Sequence, residues 1–179
     1  YGGGGNDVST GVEIAKEAAQ YDMKVLLDFH YSDFWAEPAV QLIPKAWKKD
    51  VNNTEKMCSD VYDFTKESIQ KFKDGGANIG MVQVGNEITN GLLGIYSNRD
   101  KGESFNVIWG DKKKSTEVNK YLKAGIKAVR ECTPQALVAL HLETPNVWKY
   151  KTIMNTWKRD NVDYDVLGSS YYPFWSIAA

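Results

Sequence analysis

Met81-Val82-Gln83-Val84-Gly85-Asn86-Glu87-Ile88-Thr89-Asn90 sits near the middle of this 179-residue chain and carries the first argument about its fold. Val82 and Val84, with Ile79 before them, have the β-branched character of a strand, and Gly85 lets the backbone turn. Asn86 and Glu87 then stand side by side where the apolar run stops. In parallel α/β proteins the space beyond a strand's carboxyl end is where chemistry is done.

Segments of the same kind lie on either side. Lys24-Val25-Leu26-Leu27-Asp28-Phe29-His30 is short and mostly apolar, as a strand covered on both faces would be, and Ala136 to His141 and Val162 to Ser170 repeat the pattern. Helical faces separate them. Val8, Val12, Ala15 and Ala19 recur at helical spacing behind Asp7 or Ser9 as cap, ending near Tyr21, and Met57, Val61, Phe64, Ser68 and Phe72 mark a second helix stopped by Gly75-Gly76. Val118, Leu122, Ile126 and Val129 form a third after a Ser115-Thr116 cap, closed by Thr133-Pro134, and Val147, Tyr150, Met154 and Trp157 a fourth. From Thr89 to about Lys114 the chain has four glycines, mixed charge and no period. It reads as a long excursion, and such loops are usually functional or disordered.

One helix, three strand-helix units and a last strand call for parallel pairing with right-handed crossovers. A doubly wound sheet and part of a (β/α)8 barrel both satisfy that order. The strand ends separate them: His30-Tyr31, Asn86-Glu87, His141 and Tyr171-Tyr172 are all polar or aromatic. A doubly wound sheet binds at one switch point, whereas a barrel gathers its site from several strands, so the expectation is an α/β TIM barrel. A full barrel takes about 250 residues. Residues 1–179 therefore read as a single domain that is part of one, about four strands with their helices. Unpaired barrel edges would leave it marginally stable or self-associating.

A hydrophobic share of 42% supports a sizeable core, and 22 Lys and Arg against 23 Asp and Glu leave a net charge of -1. No global field draws the chain to nucleic acid or an anionic membrane, so an uncharged partner is expected. Cys58 and Cys132 fall in segments read as helices on different parts of the outer layer, which suggests neither a disulfide framework nor a metal knuckle. No apolar run reaches membrane-spanning length, and no signal peptide is recognisable. Tyr1 to Asp7 resembles a phosphate loop only in its glycines, since no strand precedes it and no Gly-x-Gly-x-x-Gly is completed.

Glu87 is the leading candidate for a general acid and base, because a carboxyl at the rim of an apolar barrel is partly desolvated. A solvated glutamate opening a loop has the same sequence. Asn86 would donate to a substrate hydroxyl, or is a turn residue. His141-Leu142-Glu143 opens a zinc-deaminase signature whose Pro-Cys-x-x-Cys never follows, and no Gly-x-Ser-x-Gly elbow exists. With two histidines and two scattered cysteines, neither a metal nor another cofactor is expected. Trp35, Tyr171, Tyr172 and Trp175 follow strand ends, where their rings either stack on a sugar or pack the rim. Asn52-Asn53-Thr54 is a glycosylation sequon.

Four ordered motifs carry a resemblance: Asp28 to Ala36, Gly85 to Gly91, Ala139-Leu140-His141, and Ser169-Ser170-Tyr171-Tyr172-Pro173-Phe174-Trp175. Together they resemble glycoside hydrolase family 53, the arabinogalactan endo-β-1,4-galactanases, over nearly the whole chain. The resemblance implies an eight-stranded barrel of which these strands match the third to sixth. It also implies retaining hydrolysis of β-1,4-galactan in pectin side chains, and an extracellular, secreted enzyme. It makes Glu87 the acid/base and Asn86 the residue binding the sugar's 2-hydroxyl. His30, Asp33, Trp35, His141, Tyr171, Tyr172 and Trp175 become cleft residues, with Tyr171 rather than Tyr172 as the phenol that hydrogen-bonds the nucleophile.

Retention needs a second carboxylate about 5 Å from the first. In the family it ends the seventh strand, a position with no match in this chain. Glu37 stands where the family often has Asp, and Leu92 to Gly110 matches no family pattern. A related retaining β-1,4-glycanase and a non-catalytic carbohydrate-binding unit built on the aromatics and Asn86 are the competing expectations.

Overall fold

Asp7 starts the first helix, α1 (Val8–Ala19), its carboxylate accepting the Thr10 backbone N–H at 3.0 Å, in a computed structural model that describes residues 5–172 and 174. The elements that follow are β1 (Val25–Phe29), α2 (Thr54–Asp74), β2 (Ile79–Val84), a hairpin of β3 (Gly91–Leu92) and β4 (Ile95–Tyr96), α3 (Asn106–Trp109), α4 (Lys112–Cys132), β5 (Leu137–Glu143), α5 (Val147–Arg159) and β6 (Val166–Ser170). The main sheet has the order β1-β2-β5-β6, all parallel. Each strand pairs with the next in chain order, with no reversal. That is the wall of a barrel; a doubly wound sheet reverses at its switch point.

Alternation divides the wall into two faces. Leu27, Phe29, Val82, Val84, Val138, Leu140 and Leu142 are buried on the helix side, against Ile69 and Phe72 of α2, Val118, Leu122 and Val129 of α4, and Ile153 and Trp157 of α5. The other face is polar through its middle, where the register sets Asp28 beside Gln83 and His141 beside Gly168. A Cβ on Gly168 would come 3.4 Å from the His141 ring. Leu26, on the same face as Asp28, is 51% exposed, so β1 is covered on one face, not both as its apolar sequence implies. Tyr31, expected at the strand end with His30, is buried on the helix side and shares a 2.8 Å hydrogen bond with Thr65.

The stretch from Thr89 to Lys114 is not an unstructured excursion. Ile88, Thr89, Leu92, Leu93, Ile108 and Trp109 are buried, and the Trp109 indole donates to the Thr89 carbonyl at 2.6 Å. Gly91 closes the hairpin with φ 126°, and a Cβ there would lie 1.9 Å from the Ile95 carbonyl oxygen. These contacts link residues without periodic spacing, so no sequence period announces them. α4 starts at Lys112 with Asp111 as its cap, accepting from Lys114 N at 3.0 Å, instead of at Ser115-Thr116. Ser115 lies inside the first turn, its hydroxyl donating to the Asp111 carbonyl at 2.8 Å. The two cysteine-bearing helices are neighbours: Thr54 donates to Glu117 at their starts and Lys73 to the Cys132 carbonyl at their ends. Both thiols are free.

Below β5 and β6, Arg130 grips Asp163 at 2.9 Å and Asp165 at 2.8 Å, and Asp165 also accepts the Val138 N–H at 2.7 Å. Arg130 and then the Val138 amide hold the Asp165 carboxyl below the usual aspartate range. Arg159, followed by Asn119 and Thr116, does the same for Asp160. A carboxyl whose folded value is depressed contributes stability above its unfolded value and loses it as pH falls through the folded value. Urea midpoints are therefore expected to hold down to about pH 4 and to fall below it. In Asp165→Asn the midpoint is lower at pH 7 and the acid-side fall shallower. An unchanged slope below pH 4 would remove Asp165 from this role.

Candidate active site

The carboxyl ends of β1, β2, β5 and β6 meet in one polar cluster, and strained backbone aims its central residue. Glu87, three residues past β2, is left-handed at φ 47° and ψ 48°, which costs a non-glycine residue on the order of 1–3 kcal/mol. Its neighbours hold it there. Gln41 Nε2 donates to the Asn86 carbonyl at 2.9 Å and the Glu87 carbonyl at 3.4 Å. The carboxyl itself meets the Ser170 hydroxyl, Oε1 to Oγ, at 2.5 Å.

Asn86 donates from Nδ2 to the Ala36 carbonyl at 2.8 Å. Its Oδ1 faces His141 Nδ1 at 2.8 Å and Gln83 Nε2 at 3.2 Å. Gln83 is also 2.5 Å from Asp28 Oδ1, and Asp28 Oδ2 is 3.3 Å from His30 Nε2. His30 Nδ1 accepts the Ala36 N–H at 3.0 Å. An unbroken chain of polar contacts thus runs from His30, just past β1, to Ser170 on β6. Burial is the largest influence on His141 and pulls its imidazole below the ordinary value; the Glu87 and Asp28 carboxylates oppose this, and His30 adds to it.

The residues singled out in the sequence separate into groups. Glu87, Asn86, His30 and His141 come together. Both nitrogens of His141 are taken by protein groups, Nδ1 as above and Nε2 by Ser170 at 2.8 Å, so it is built into the wall and does not reach across the cleft. Asp33 is exposed and accepts the Lys45 N–H at 2.8 Å, which ties the loop after β1. Trp35, 59% exposed, stacks on Phe34 with centroids 5.8 Å apart, and Tyr171 and Tyr172 are 64% and 57% exposed. Trp175 lies outside the described residues. A groove of 820 Å³ follows β1 and takes in Asp28, His30, Asp33 and Trp35.

Asp28, Gln83, Gln41 and Ser170 were not singled out. Asp28 and Gln83 could have been found, since each is the polar residue interrupting an apolar strand. Gln41 lies in an irregular segment that offers no pattern. Among the described residues, no group of three or more His, Cys, Asp or Glu could hold a metal ion, and no helix is long and apolar enough to cross a membrane.

Residues 1–179, the whole chain, match the profile of glycosyl hydrolase family 53. The chain belongs to glycosyl hydrolase family 53. It is 45% identical over 176 residues to an endo-β-1,4-galactanase of Bacillus subtilis, covering 98% of this chain and 37% of that protein. It is 29% identical over 184 residues to an arabinogalactan endo-β-1,4-galactanase of Humicola insolens, covering 98% and 50%. Among solved structures, the family 53 catalytic domain of Ignisphaera aggregans superposes with a TM-score of 0.83 at 32% identity, over 98% of this chain and 44% of that one. The chain thus spans half or less of the length of these family 53 relatives. Its four parallel strands with their helices are an arc of the family's TIM barrel, as the strand ends predicted.

Proposed function

We propose that this chain carries the acid/base side of a retaining endo-β-1,4-galactanase, with Glu87 as the proton donor and acceptor. One observation supports the reading above others: Glu87 is held in a strained conformation at the mouth of the wall, next to Asn86, with Oε1 engaged by Ser170. Its second oxygen is then the one available to a glycosidic oxygen. Protonation by Glu87 would let the leaving sugar depart as an alcohol, while a second carboxylate attacks the anomeric carbon and Glu87 afterwards takes a proton from water. We place that nucleophile at the family position that has no match in these residues. Asn86 would bind the sugar's 2-hydroxyl, and Trp35 and the tyrosines after β6 would stack on sugar rings. The galactan side chains of pectin are the proposed substrate, and secretion the proposed destination.

A chimera tests the reading. Residues 1–179 would replace the matching segment of the Bacillus subtilis relative, and the folded product would be assayed on β-1,4-galactan, β-1,4-glucan and β-1,4-mannan. Galactan cleavage with the other two left intact is expected. Cleavage of glucan or mannan in its place would move the assignment to a related glycanase. Retention on galactan without cleavage would move it to a binding unit.

A further inference from the structure

Side chains in a line determine where one another's hydrogens sit. An ionised Asp28 only accepts, so the Gln83 group 2.5 Å away is its NH2. The same NH2 faces Asn86 Oδ1, and Asn86 Nδ2 donates to the Ala36 carbonyl, so two independent partners orient the Asn86 amide. Its Oδ1 must therefore accept from His141 Nδ1, 2.8 Å away. A lone pair on Nδ1 would repel that oxygen, so Nδ1 bears a hydrogen, and the Glu87 N–H at 3.3 Å is the weaker claim on it. Neutral His141 is then the Nδ1–H tautomer, the one free histidine disfavours, and its Nε2 is an acceptor.

Ser170 Oγ stands between that acceptor, at 2.8 Å, and Glu87 Oε1, at 2.5 Å. Two hydrogen bonds across these three atoms need two hydrogens, and a hydroxyl has one. We infer that the His141–Ser170–Glu87 line holds one exchangeable proton in common, with Ser170 as the positioning residue through which the imidazole and the carboxyl share it. The inference deepens the acid/base reading of Glu87 and takes its catalytic meaning from it. With the proton on Nε2, the hydroxyl points to the carboxylate. When Nε2–H passes its proton to Oγ and Oγ–H passes one to Oε1, the hydroxyl keeps one hydrogen and the charge pair is neutralised.

The charged and titratable groups around His141 are Asp28 and His30 from β1, Glu87 after β2, and Glu143 two residues along β5, itself paired with Lys149 of α5 at 3.3 Å. Burial outweighs the two carboxylates at the imidazole. The neutral ring, with its hydrogen on Nδ1, then presents Nε2 to Ser170 as an acceptor.

The chain has two histidines, so imidazole nitrogen spectra across pH resolve each. The neutral His141 is expected as Nδ1–H. Glu87→Gln supplies its own amide hydrogen to Ser170, so the proton affinity of His141 should fall at least about tenfold, with His30 moving less. In Ser170→Ala the Glu87→Gln effect should shrink below about threefold, and Ser170→Thr, which keeps the hydroxyl, should restore it. An Nε2–H tautomer in the parent chain, an unmoved His141 in Glu87→Gln, or an undiminished Glu87→Gln effect in Ser170→Ala would each overturn the inference. No substrate enters these spectra. A chimera that fails on galactan while the spectra behave as expected would count against the galactanase reading alone.

Discussion

Glu87→Gln in the galactan-cleaving chimera is expected to lower kcat by roughly 10²- to 10⁴-fold, the range that a positioned proton donor supplies. Glutamine has the shape of glutamate and can still bond Ser170, so the fold should survive and the loss belongs to the proton. The choice of leaving group isolates the role. A glycosidic oxygen departing as a sugar alkoxide needs protonation, whereas an aryl galactoside with an acidic phenol departs unaided. The first covalent step should therefore lose far less on the aryl substrate than on galactan, and turnover of the aryl substrate should become limited by the base-assisted second step. Equal losses in both single-turnover measurements would show that Glu87 is not the acid.

Trp157→Ala should cost about 3–5 kcal/mol of folding stability, the usual range for emptying a buried tryptophan site. Trp157 is fully buried on α5 and meets Trp109 edge-on at 6.2 Å and Tyr164 at 5.3 Å. It thereby joins three parts of the chain: the short helix of the Thr89–Lys114 region, α5, and the approach to β6. Its indole N–H has no hydrogen-bond partner among the described residues. Trp157→Phe therefore gives up packing volume but no hydrogen bond, and should cost clearly less than the alanine variant. Urea unfolding at pH 7 reads both. A loss under about 1 kcal/mol in Trp157→Ala would mean the site collapses to fill itself. Because Trp109 belongs to the segment next to Glu87, the alanine variant should also loosen the hairpin and speed amide exchange around Gly91.

Both predictions depend on features of different legibility. Burial of Trp157 was written in its spacing with Tyr150 and Met154, although Val147, expected on the same helical face, is 71% exposed. Its partner Trp109 was not, because the segment holding it has no period and is ordered by contacts such as that between its indole and the Thr89 carbonyl. Asn86 and Glu87 stood out because charge follows directly on an apolar strand. Ser170 did not, since a serine ending a strand looks the same whether or not a carboxyl faces it.

The chain's own sequence determined the alternation of strands and helices, the parallel order and the barrel over the doubly wound sheet, because periodicity and strand-end chemistry are local properties; the family came from the resemblance carried by four ordered motifs. Only the tertiary structure decided which side of the wall each strand-end residue takes. Tyr31 went under the helices, Asp33 into a loop tie, and His141 into the wall with both nitrogens occupied. Those outcomes depend on register between strands distant in sequence. A shift of one residue reverses every side chain's face, and that register is set by packing across the whole sheet, which no single segment encodes.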